Sequence, residues 1–449
     1  MGVLALVLFV AILVLWSVKL KRDLGEAALI GFIAIVPLGG SRAFELLIQG
    51  LSFASTFSVL YAALAFVFMA YLIDKSGIVE KLLGILNSLV GRLPGAPAFM
   101  DALGSIALGT LSGGDSGNTA ATGSITGPWM LKNRWNKDIA ATVMVGNGGM
   151  ASVFPPTTSM FIVLGFAPVA AAVGVGEFYI ALFVAALYQL LHRLIMIWIF
   201  VKKQNIQPFP AEELEPLRVS FKKGWTSILL YLGAVIPLVI TIGPLANMLT
   251  EIPSLGEEAL DSIDIVVWIP TLMIVIALIL GRKNLPGTRK GFMEFLESSI
   301  PRFRTIGALI FFAVAASEVL TALGLSDNIS MFIEAANAPA WLTLLMLGIG
   351  ITIIAGPLTS TGTLTAVGLV SYEILVASGF SPMISAIVIM MFASTSAQMP
   401  PASGSIYIAS GIVGSRPEKT FGMLILFYAL PVVIIGWLIG MGILPVWGG

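Results

Sequence analysis

Long apolar runs, interrupted at a few defined points, dominate the chain. A helix that spans the hydrocarbon core of a membrane needs about 20 mostly apolar residues. Strands of a membrane β-barrel would instead show short segments of alternating hydrophobicity. The pattern therefore predicts an all-α polytopic membrane protein, with membrane spans at 2–18, 27–41, 52–73, 177–201, 226–249, 264–281, 304–324 and 420–443.

Two further apolar regions, 98–172 and 339–413, do not have the pattern of simple spans. Each begins with two arms of about 12 residues around a polar tip, and such arms are too short to cross a membrane. We predict two re-entrant helical hairpins, the first over 98–131 and the second over 339–376. Each hairpin is followed by an apolar helix that a Pro-Pro pair must interrupt. We call these the first broken helix (138–172) and the second broken helix (382–413).

The two regions align with each other without a gap. Pairing Pro155-Pro156 with Pro400-Pro401 also pairs Gly117 with Gly362. Polar breaks at matching positions of two hydrophobic halves indicate the binding site of a transporter. We therefore predict two repeats, 1–203 and 226–449, joined by a polar, proline-containing loop at 204–225. Scaffold helices (1–75 and 226–324) and amphipathic arms (78–90 and 328–337) precede the hairpins, and single spans (177–201 and 420–443) close the two repeats.

The positive charges predict how the repeats are oriented. Loops on the cytoplasmic side of a membrane are rich in Lys and Arg. With the N-terminus outside, all but two of the 24 Lys and Arg residues fall in or directly beside the predicted inner segments 19–26, 74–98, 132–138, 202–225, 282–303 and 414–419. The outer segment 250–263 is acidic. This topology inverts the second repeat relative to the first and places both termini in the periplasm.

Composition narrows the possible functions. The chain is 57% hydrophobic and 11% charged, whereas soluble domains contain about 25% charged residues. A net charge of zero gives no indication of a nucleic-acid partner, so the lipid bilayer is the partner that composition predicts. The chain has no cysteine and a single histidine, His192, which argues against thiol chemistry and a multi-histidine metal site. Val3 to Val18 carries its positive charges after the apolar run, unlike a signal peptide, and we predict a retained first span.

The polar breaks supply the groups that an anion and a hard cation need. Helix N-termini favour anions, while carbonyl and hydroxyl oxygens favour cations such as sodium. We predict a substrate site at Asp115, Ser116, Gly117, Asn118, Thr157, Thr158, Ser360, Thr361, Gly362, Thr363 and Ser403. We predict sodium sites at Ser112, Asn118, Thr119, Gly148, Pro155, Thr158, Gly356, Thr359, Thr361, Thr395, Ser396 and Pro400.

Several alternatives remain open for these residues. Small and hydroxyl-bearing residues in apolar helices also serve to let helices pack closely. Asp115 is either a functional group or a helix cap. For Arg193, His192 and Glu177 we favour structural pairing or snorkelling over a proton relay. A channel predicts a continuous polar path, which the chain lacks, and a membrane hydrolase would need a nucleophile with a base or a metal site.

The chain resembles the large membrane subunit of TRAP transporters, the tripartite ATP-independent periplasmic transporters. The resemblance runs along nearly the whole chain and is clearest from Ala63 to Gly165, which includes LSGGDSGNTAATGS and VFPPTTS. It implies inverted repeats that move like an elevator, a small four-helix membrane subunit, a periplasmic substrate-binding protein, and a place in the bacterial inner membrane. It also implies sodium-driven uptake of organic acids such as dicarboxylates, with sodium as coupling ion and no further cofactor.

Some positions depart from the family pattern. The hairpin aspartate typical of the family falls on Asn118, while Asp115 stands three residues earlier. An Asp-Pro pair often seen in the second hairpin falls on Ser360-Thr361. These departures bear on ion coupling and substrate choice. A stand-alone ion-coupled carrier or antiporter of the wider ion-transporter superfamily is the alternative function.

Overall fold

The protein is an α-helical membrane protein with several spans. Its structure, a computed structural model, describes residues 1–112, 114–209, 215–241, 244–252, 265–336, 338–401 and 403–446. All regular secondary structure in these residues is helical. Seven of the described helices are long and apolar enough to cross a membrane: Leu24–Thr56, Ser58–Lys75, Val175–Gln204, Leu217–Thr241, Arg289–Ala322, Ser360–Ala377 and Glu418–Gly440.

The first scaffold group is more continuously helical than the predicted spans. Its helices are Gly2–Val14, Leu24–Ile35, Ala43–Thr56 and Ser58–Lys75, with a 3₁₀ segment at Val36–Arg42. The chain changes direction at Gly40, whose φ of 58° suits glycine, and at Phe57, which is extended. The predicted span 52–73 is therefore divided at Phe57, and the residues before it belong to a separate helix.

The second scaffold group begins earlier than predicted. Its helices are Leu217–Ile228, Leu232–Thr241, Pro244–Thr250, Ile265–Gly281 and Arg289–Ala322. Residues 217–225 are helical, which corrects the prediction of a loop over 204–225. Residues 289–303, predicted as an inner loop, likewise extend the span that follows them. Most of the predicted acidic outer segment, from 253 onward, lies outside the described residues, as do 210–214 of the linker.

Packing explains why Leu217–Ile228 is helical despite the charges and prolines around it. Ser220, Gly224 and Ser227 are buried along one face, and small residues let helices approach closely. A Cβ on Gly224 would lie 3.0 Å from the backbone oxygen of Lys81, which belongs to the arm Ile78–Val90. Just before this helix, Glu215 accepts hydrogen bonds from Lys223 and Ser220, which hold its pKa below the usual range.

The hairpins and broken helices are present in both halves. The first hairpin consists of Ala96–Ser112 and Asp115–Lys132, and the second of Ala340–Ala355 and the helical run Ser360–Ala377. The first broken helix comprises Lys137–Gly148, a 3₁₀ turn at Gly149–Ser152, Thr158–Leu164 and Ala167–Ala172. The second comprises Pro382–Ala393, a 3₁₀ turn at Ser394–Gln398 and Gly404–Val413.

The two halves follow one plan. Each contains an arm, a hairpin, a helix that ends in a 3₁₀ turn, a Pro-Pro pair in cis and a second helical segment. The second arm is Leu325–Ala336, and long helices close the halves at Val175–Gln204 and at Glu418–Gly440. A constant offset of 245 residues relates Pro155 to Pro400 and Asp115 to Ser360. The hairpins and broken helices of both halves pack together at the centre of the fold.

Candidate functional site

A polar cavity of about 210 Å³ lies where the two hairpin tips meet the two helix breaks. It is smaller than the sites of roughly 300–1,000 Å³ that hold drug-sized ligands, so its size suits a small organic molecule. Every one of the four interrupted elements contributes to its wall. The lining residues are Gly114, Asp115, Ser116, Gly117, Ser152, Ser159, Gly356, Pro357, Leu358, Thr359, Ser360, Thr361, Ser396, Ala397, Ser403, Gly404 and Ser405.

Asp115 joins the two halves of the protein at this cavity. It is the first residue of the helix Asp115–Lys132, and its side chain does not cap that helix. Instead Asp115 Oδ2 accepts hydrogen bonds from Ser360 Oγ at 2.7 Å and from Ser396 Oγ at 2.6 Å. Ser360 belongs to the second hairpin and Ser396 to the turn of the second broken helix. The aspartate of one hairpin therefore holds the other half through two hydroxyl groups.

Asn118 fixes the first hairpin against the first broken helix. Its side chain is fully buried, and Nδ2 donates to the backbone oxygens of Ser105 at 3.0 Å and Gly148 at 3.2 Å. Thr119, also buried, donates to the backbone oxygen of Asp115. A Cβ on Gly148 would lie only 1.9 Å from Thr119 Oγ1. Glycine at the end of Lys137–Gly148 thus lets the hairpin approach the broken helix closely.

The second hairpin tip is organised by threonine hydroxyls. Thr359 Oγ1 caps the helix that starts at Ser360 by accepting from the Gly362 N–H, and it lies 2.9 Å from Thr361 Oγ1. Thr363 Oγ1 donates to the backbone oxygen of Thr359. These contacts satisfy groups that a helix start leaves without partners, and they place the hydroxyls of Thr359 and Thr361 on the cavity wall.

The helix breaks are held by comparable side-chain contacts. Thr157 Oγ1 caps the helix Thr158–Leu164 and donates to the Ser152 backbone oxygen. Ser403 Oγ donates to the backbone oxygen of Ala397 across the second break. The two hairpins also contact the breaks directly, since Ser116 Oγ lies 3.3 Å from Ser405 Oγ.

The predicted site residues divide into a cavity wall and a layer behind it. Those on the wall are Asp115, Ser116, Gly117, Gly356, Thr359, Ser360, Thr361, Ser396 and Ser403. Those buried behind it are Asn118, Thr119, Gly148, Thr157, Thr158, Gly362, Thr363 and Thr395. The four prolines of the breaks lie away from the wall: Pro155 and Pro156 line a separate apolar cavity, Pro400 is half-buried and Pro401 is exposed. The side chain of Ser112 lies outside the described part of the structure.

A hard cation finds oxygen ligands in this layer, but sodium coordination remains a prediction. Asn118 Oδ1 is buried and accepts no hydrogen bond from any described residue. In the second half, Thr395 Oγ1 lies 3.2 Å from Thr352 Oγ1 and 2.6 Å from the Phe392 backbone oxygen. Neutral oxygens of this kind suit hard cations. Among the described residues there is no group of three or more His, Cys, Asp or Glu side chains that suits a metal ion.

A second buried polar cluster was not predicted from the sequence. Asp101 is fully buried, and its two carboxylate oxygens accept from Thr126 Oγ1 at 2.7 Å and from Asn147 Nδ2 at 2.8 Å. Nearby, Gln398 Nε2 donates to the Gly146 backbone oxygen and so links the two broken helices. The sequence did contain a signal for this cluster, namely single polar residues such as Asp101 and Asn147 within apolar runs. It ties the base of the first hairpin to the broken helices.

Three other charged residues in apolar segments, Arg193, Glu318 and Glu373, have side-chain partners away from the cavity. Arg193 is fully buried and therefore does not snorkel; its guanidinium lies 4.6 Å from the centre of the Tyr428 ring and contacts His192. Glu318 accepts from Gln49 at 2.6 Å, and Glu373 accepts from Ser326 at 2.8 Å. None of these side chains lines the cavity.

These features define a class of protein. Two repeated units, each with a hairpin and an interrupted helix, enclose a polar site within an apolar, multi-pass helical protein, as in secondary transporters. Residues 2–447 match the family model described as "Tripartite ATP-independent periplasmic transporter, DctM component". The chain belongs to this family. Within a tripartite transporter it corresponds to the large membrane component.

Individual relatives agree with this assignment. The chain is 21% identical over 339 residues to the C4-dicarboxylate TRAP transporter large permease protein DctM of Pseudomonas aeruginosa, which covers 75% of this chain and 74% of the relative. It is 25% identical over 166 residues to the Vibrio cholerae protein of that name, covering 36% of each chain.

Solved structures of two transporters have a similar fold. The Alcanivorax borkumensis YdaH transporter has a TM-score of 0.62 and 17% identity over 91% of this chain and 90% of its own. Neisseria gonorrhoeae MtrF has a TM-score of 0.60 and 16% identity over 92% of this chain and 87% of its own. At such identities the comparison establishes a shared fold and leaves the cargo open.

Proposed function

We propose that this chain is the permease subunit of a tripartite secondary transporter and carries small organic acids into the cell with sodium. In this proposal a periplasmic binding protein delivers the acid, and a small four-helix membrane subunit completes the transporter. The chain resides in the bacterial inner membrane with both termini in the periplasm, and it moves its substrate without altering it chemically. Support comes from family membership and from relatives named as C4-dicarboxylate permeases.

The observation that carries the proposal is that both hairpin tips close one cavity. Asp115 of the first hairpin and Ser360 of the second are hydrogen-bonded to each other at its wall. Displacement of one hairpin would open the cavity to one side while the other hairpin kept the opposite side closed. In an elevator movement, the hairpins and broken helices would carry the cavity past the scaffold helices.

Sodium would provide the driving force by binding next to the substrate. A ligand shifts a conformational equilibrium only by its differential affinity for the two states, so sodium must bind the substrate-accepting state more tightly than the empty one. We assign this role to the oxygens behind the cavity, around Asn118 and Gly148 in the first half and around Thr395 in the second. The acid would lie at the hairpin tips, where helix N-termini favour its negative charge.

The test of the transport function is uptake of a panel of labelled small carboxylates into proteoliposomes under a sodium gradient. We expect sodium-driven uptake only when the chain is combined with its small subunit and binding protein. Uptake by the chain alone would favour the stand-alone ion-coupled carrier instead. If neither preparation takes up any acid with sodium, the proposal is refuted.

The site assignment has its own test. Ser116→Ala and Thr361→Ala each remove a hydroxyl from the cavity wall, where the acid would bind. Because the binding of acid and the binding of sodium are coupled in this proposal, each variant should raise the sodium concentration needed for half-maximal uptake. Ser124→Ala is a matched control, because Ser124 lies on the same helix as Ser116 but is exposed and bonds only to the backbone of its own helix. An unchanged sodium dependence in both site variants would contradict the assignment.

A further inference from the structure

The charge on the cavity wall is unusual for a site that receives an acid. Among the described residues that line the cavity, Asp115 is the only one with a formal charge, and no lysine, arginine or histidine lines it. The described ion pairs of the chain do not include Asp115. A carboxylate ligand in this cavity therefore meets a like charge and no basic side chain.

The surroundings of Asp115 hold its carboxylate without neutralising it. The side chain is 8% exposed, and its Oδ2 accepts from two neutral hydroxyls, those of Ser360 and Ser396. Asp115 Oδ1 is buried and accepts no hydrogen bond from any described residue. Hydroxyl donors orient a carboxylate and stabilise its ionised form, and they add no positive charge that would offset it.

Helix ends provide the positive potential that the side chains lack. Three helical runs of adequate length start at the cavity: Asp115–Lys132, Ser360–Ala377 and Gly404–Val413. Each N-terminus is equivalent to roughly half an elementary charge. Three such ends amount to about one and a half positive charges, of which the Asp115 carboxylate offsets one. Before any coupling ion is counted, the remainder suits one carboxylate of a ligand and is too small for two.

From this balance we infer that Asp115 is a specificity-determining residue that selects acids with a single carboxylate, bearing hydroxyl, amide or ammonium groups, over dicarboxylates. The hydroxyls of Ser116, Thr359, Thr361 and Ser405 on the wall give such groups hydrogen-bond partners. A second carboxylate on the ligand would instead add a like charge in a confined, partly desolvated site, where repulsion is stronger than in water. This inference rests on the proposed function and specifies its substrate class.

A matched set of four-carbon acids tests the inference. Succinate carries two carboxylates, and succinamate replaces one of them by an amide of nearly equal shape. In 4-aminobutyrate and 4-hydroxybutyrate that carboxylate is replaced by a positively charged ammoniomethyl group or a neutral hydroxymethyl group. Each is measured as a stabiliser of the purified chain against heat, and as a competitor of uptake by the complete transporter, at fixed sodium. We expect succinamate or one of the other two to bind at least about tenfold more tightly than succinate, a ratio that corresponds to 1.4 kcal/mol.

The variant Asp115→Asn removes the charge while keeping the shape of the side chain. We expect it to reduce the preference against succinate by about tenfold or more. Asp138→Asn is the control, because Asp138 is a partly exposed carboxylate that contacts Ser415 and Lys419 at the start of the first broken helix, away from the cavity. It should leave the preference unchanged. If Asp115→Asn does not fold, the preference of the unaltered chain still decides the question.

The outcomes separate this inference from the function on which it rests. A preference of the unaltered chain for succinate would overturn the inference and leave the transport function standing. The same holds if Asp115→Asn changes the sodium dependence of uptake but not the ratio between succinate and succinamate, because Asp115 would then act on the ion. If sodium drives the uptake of no acid at all, the transport function is refuted and the inference falls with it.

Discussion

Because the first hairpin lies so close to the first broken helix, we predict that adding a side chain at Gly148 destabilises the protein. In Gly148→Ala the new Cβ would lie 1.9 Å from Thr119 Oγ1, 3.1 Å from Thr119 Cβ and 3.3 Å from the Asp115 backbone oxygen. The first distance is far below van der Waals contact, so Thr119 must turn or the hairpin must move. Either response displaces the tip that carries Asp115.

The size of the effect follows from these contacts. Turning Thr119 breaks its 2.9 Å hydrogen bond to the Asp115 backbone oxygen, which contributes about 1 kcal/mol. Overfilling a packed interior typically costs about 1–3 kcal/mol. Replacing glycine by alanine in a helix returns up to about 1 kcal/mol. We therefore expect Gly148→Ala to lower the free energy of unfolding by about 1–3 kcal/mol.

The assay is thermal unfolding of the purified chain, followed by uptake into proteoliposomes. Gly411→Ala is the matched control, since Gly411 also lies in a broken-helix segment and a Cβ there meets nothing within 4 Å. The double variant Gly148→Ala/Thr119→Ala removes the atom at 1.9 Å and should recover most of the lost stability. If Gly148→Ala unfolds at the same temperature as Gly411→Ala, or if the double variant recovers nothing, the packing argument is refuted.

Two further predictions concern the layer behind the cavity. Asn118→Ala removes hydrogen bonds to two backbone oxygens and should lower the free energy of unfolding by about 1–3 kcal/mol. Ser124→Ala on the same helix is the control and should leave stability unchanged. Equal melting temperatures of the two variants would contradict the anchoring role of Asn118. Gly146→Ala would place a Cβ 2.0 Å from the Tyr428 ring and should lower the melting temperature. Gly422→Ala is the control, because a Cβ there meets nothing within 4 Å. Equal melting temperatures of the two variants would show that the Tyr428 ring moves aside freely.

Hydropathy and helix-breaking residues were sufficient to predict most of the fold. The first arm was predicted at 78–90 and is observed at Ile78–Val90. Both hairpins and both broken helices lie where polar tips and Pro-Pro pairs place them, but the hairpin arms are 16–18 residues long and not about 12 as predicted. These signals are local, because a polar tip or a proline constrains its own segment whatever it packs against. Charge counts predict the orientation of the repeats in the membrane, which stays a prediction.

Sequence patterns could not predict the packing between distant segments. Leu217–Ile228 carries charges and follows prolines, and its helix is explained only by the small-residue face that packs on Ile78–Val90. Asp115 was predicted either as a functional group or as a helix cap. Its hydrogen bonds to Ser360 and Ser396 connect residues more than 240 positions apart. Such contacts depend on how the two halves face each other, and no local pattern records that.

The repeated architecture gives the contact between Asp115 and Ser360 a defined position in the protein. Asp115 and Ser360 are equivalent positions of the two halves, at an offset of 245 residues. The hydrogen bond between them lies where the two halves meet, so movement of either hairpin away from the other would break it. Ser396 has no hydroxyl counterpart in the first half, because the matching position is Ala151, so that only the second broken helix adds a hydroxyl to Asp115. The single charge of the cavity and its extra hydroxyl partner therefore both lack an equivalent in the other half.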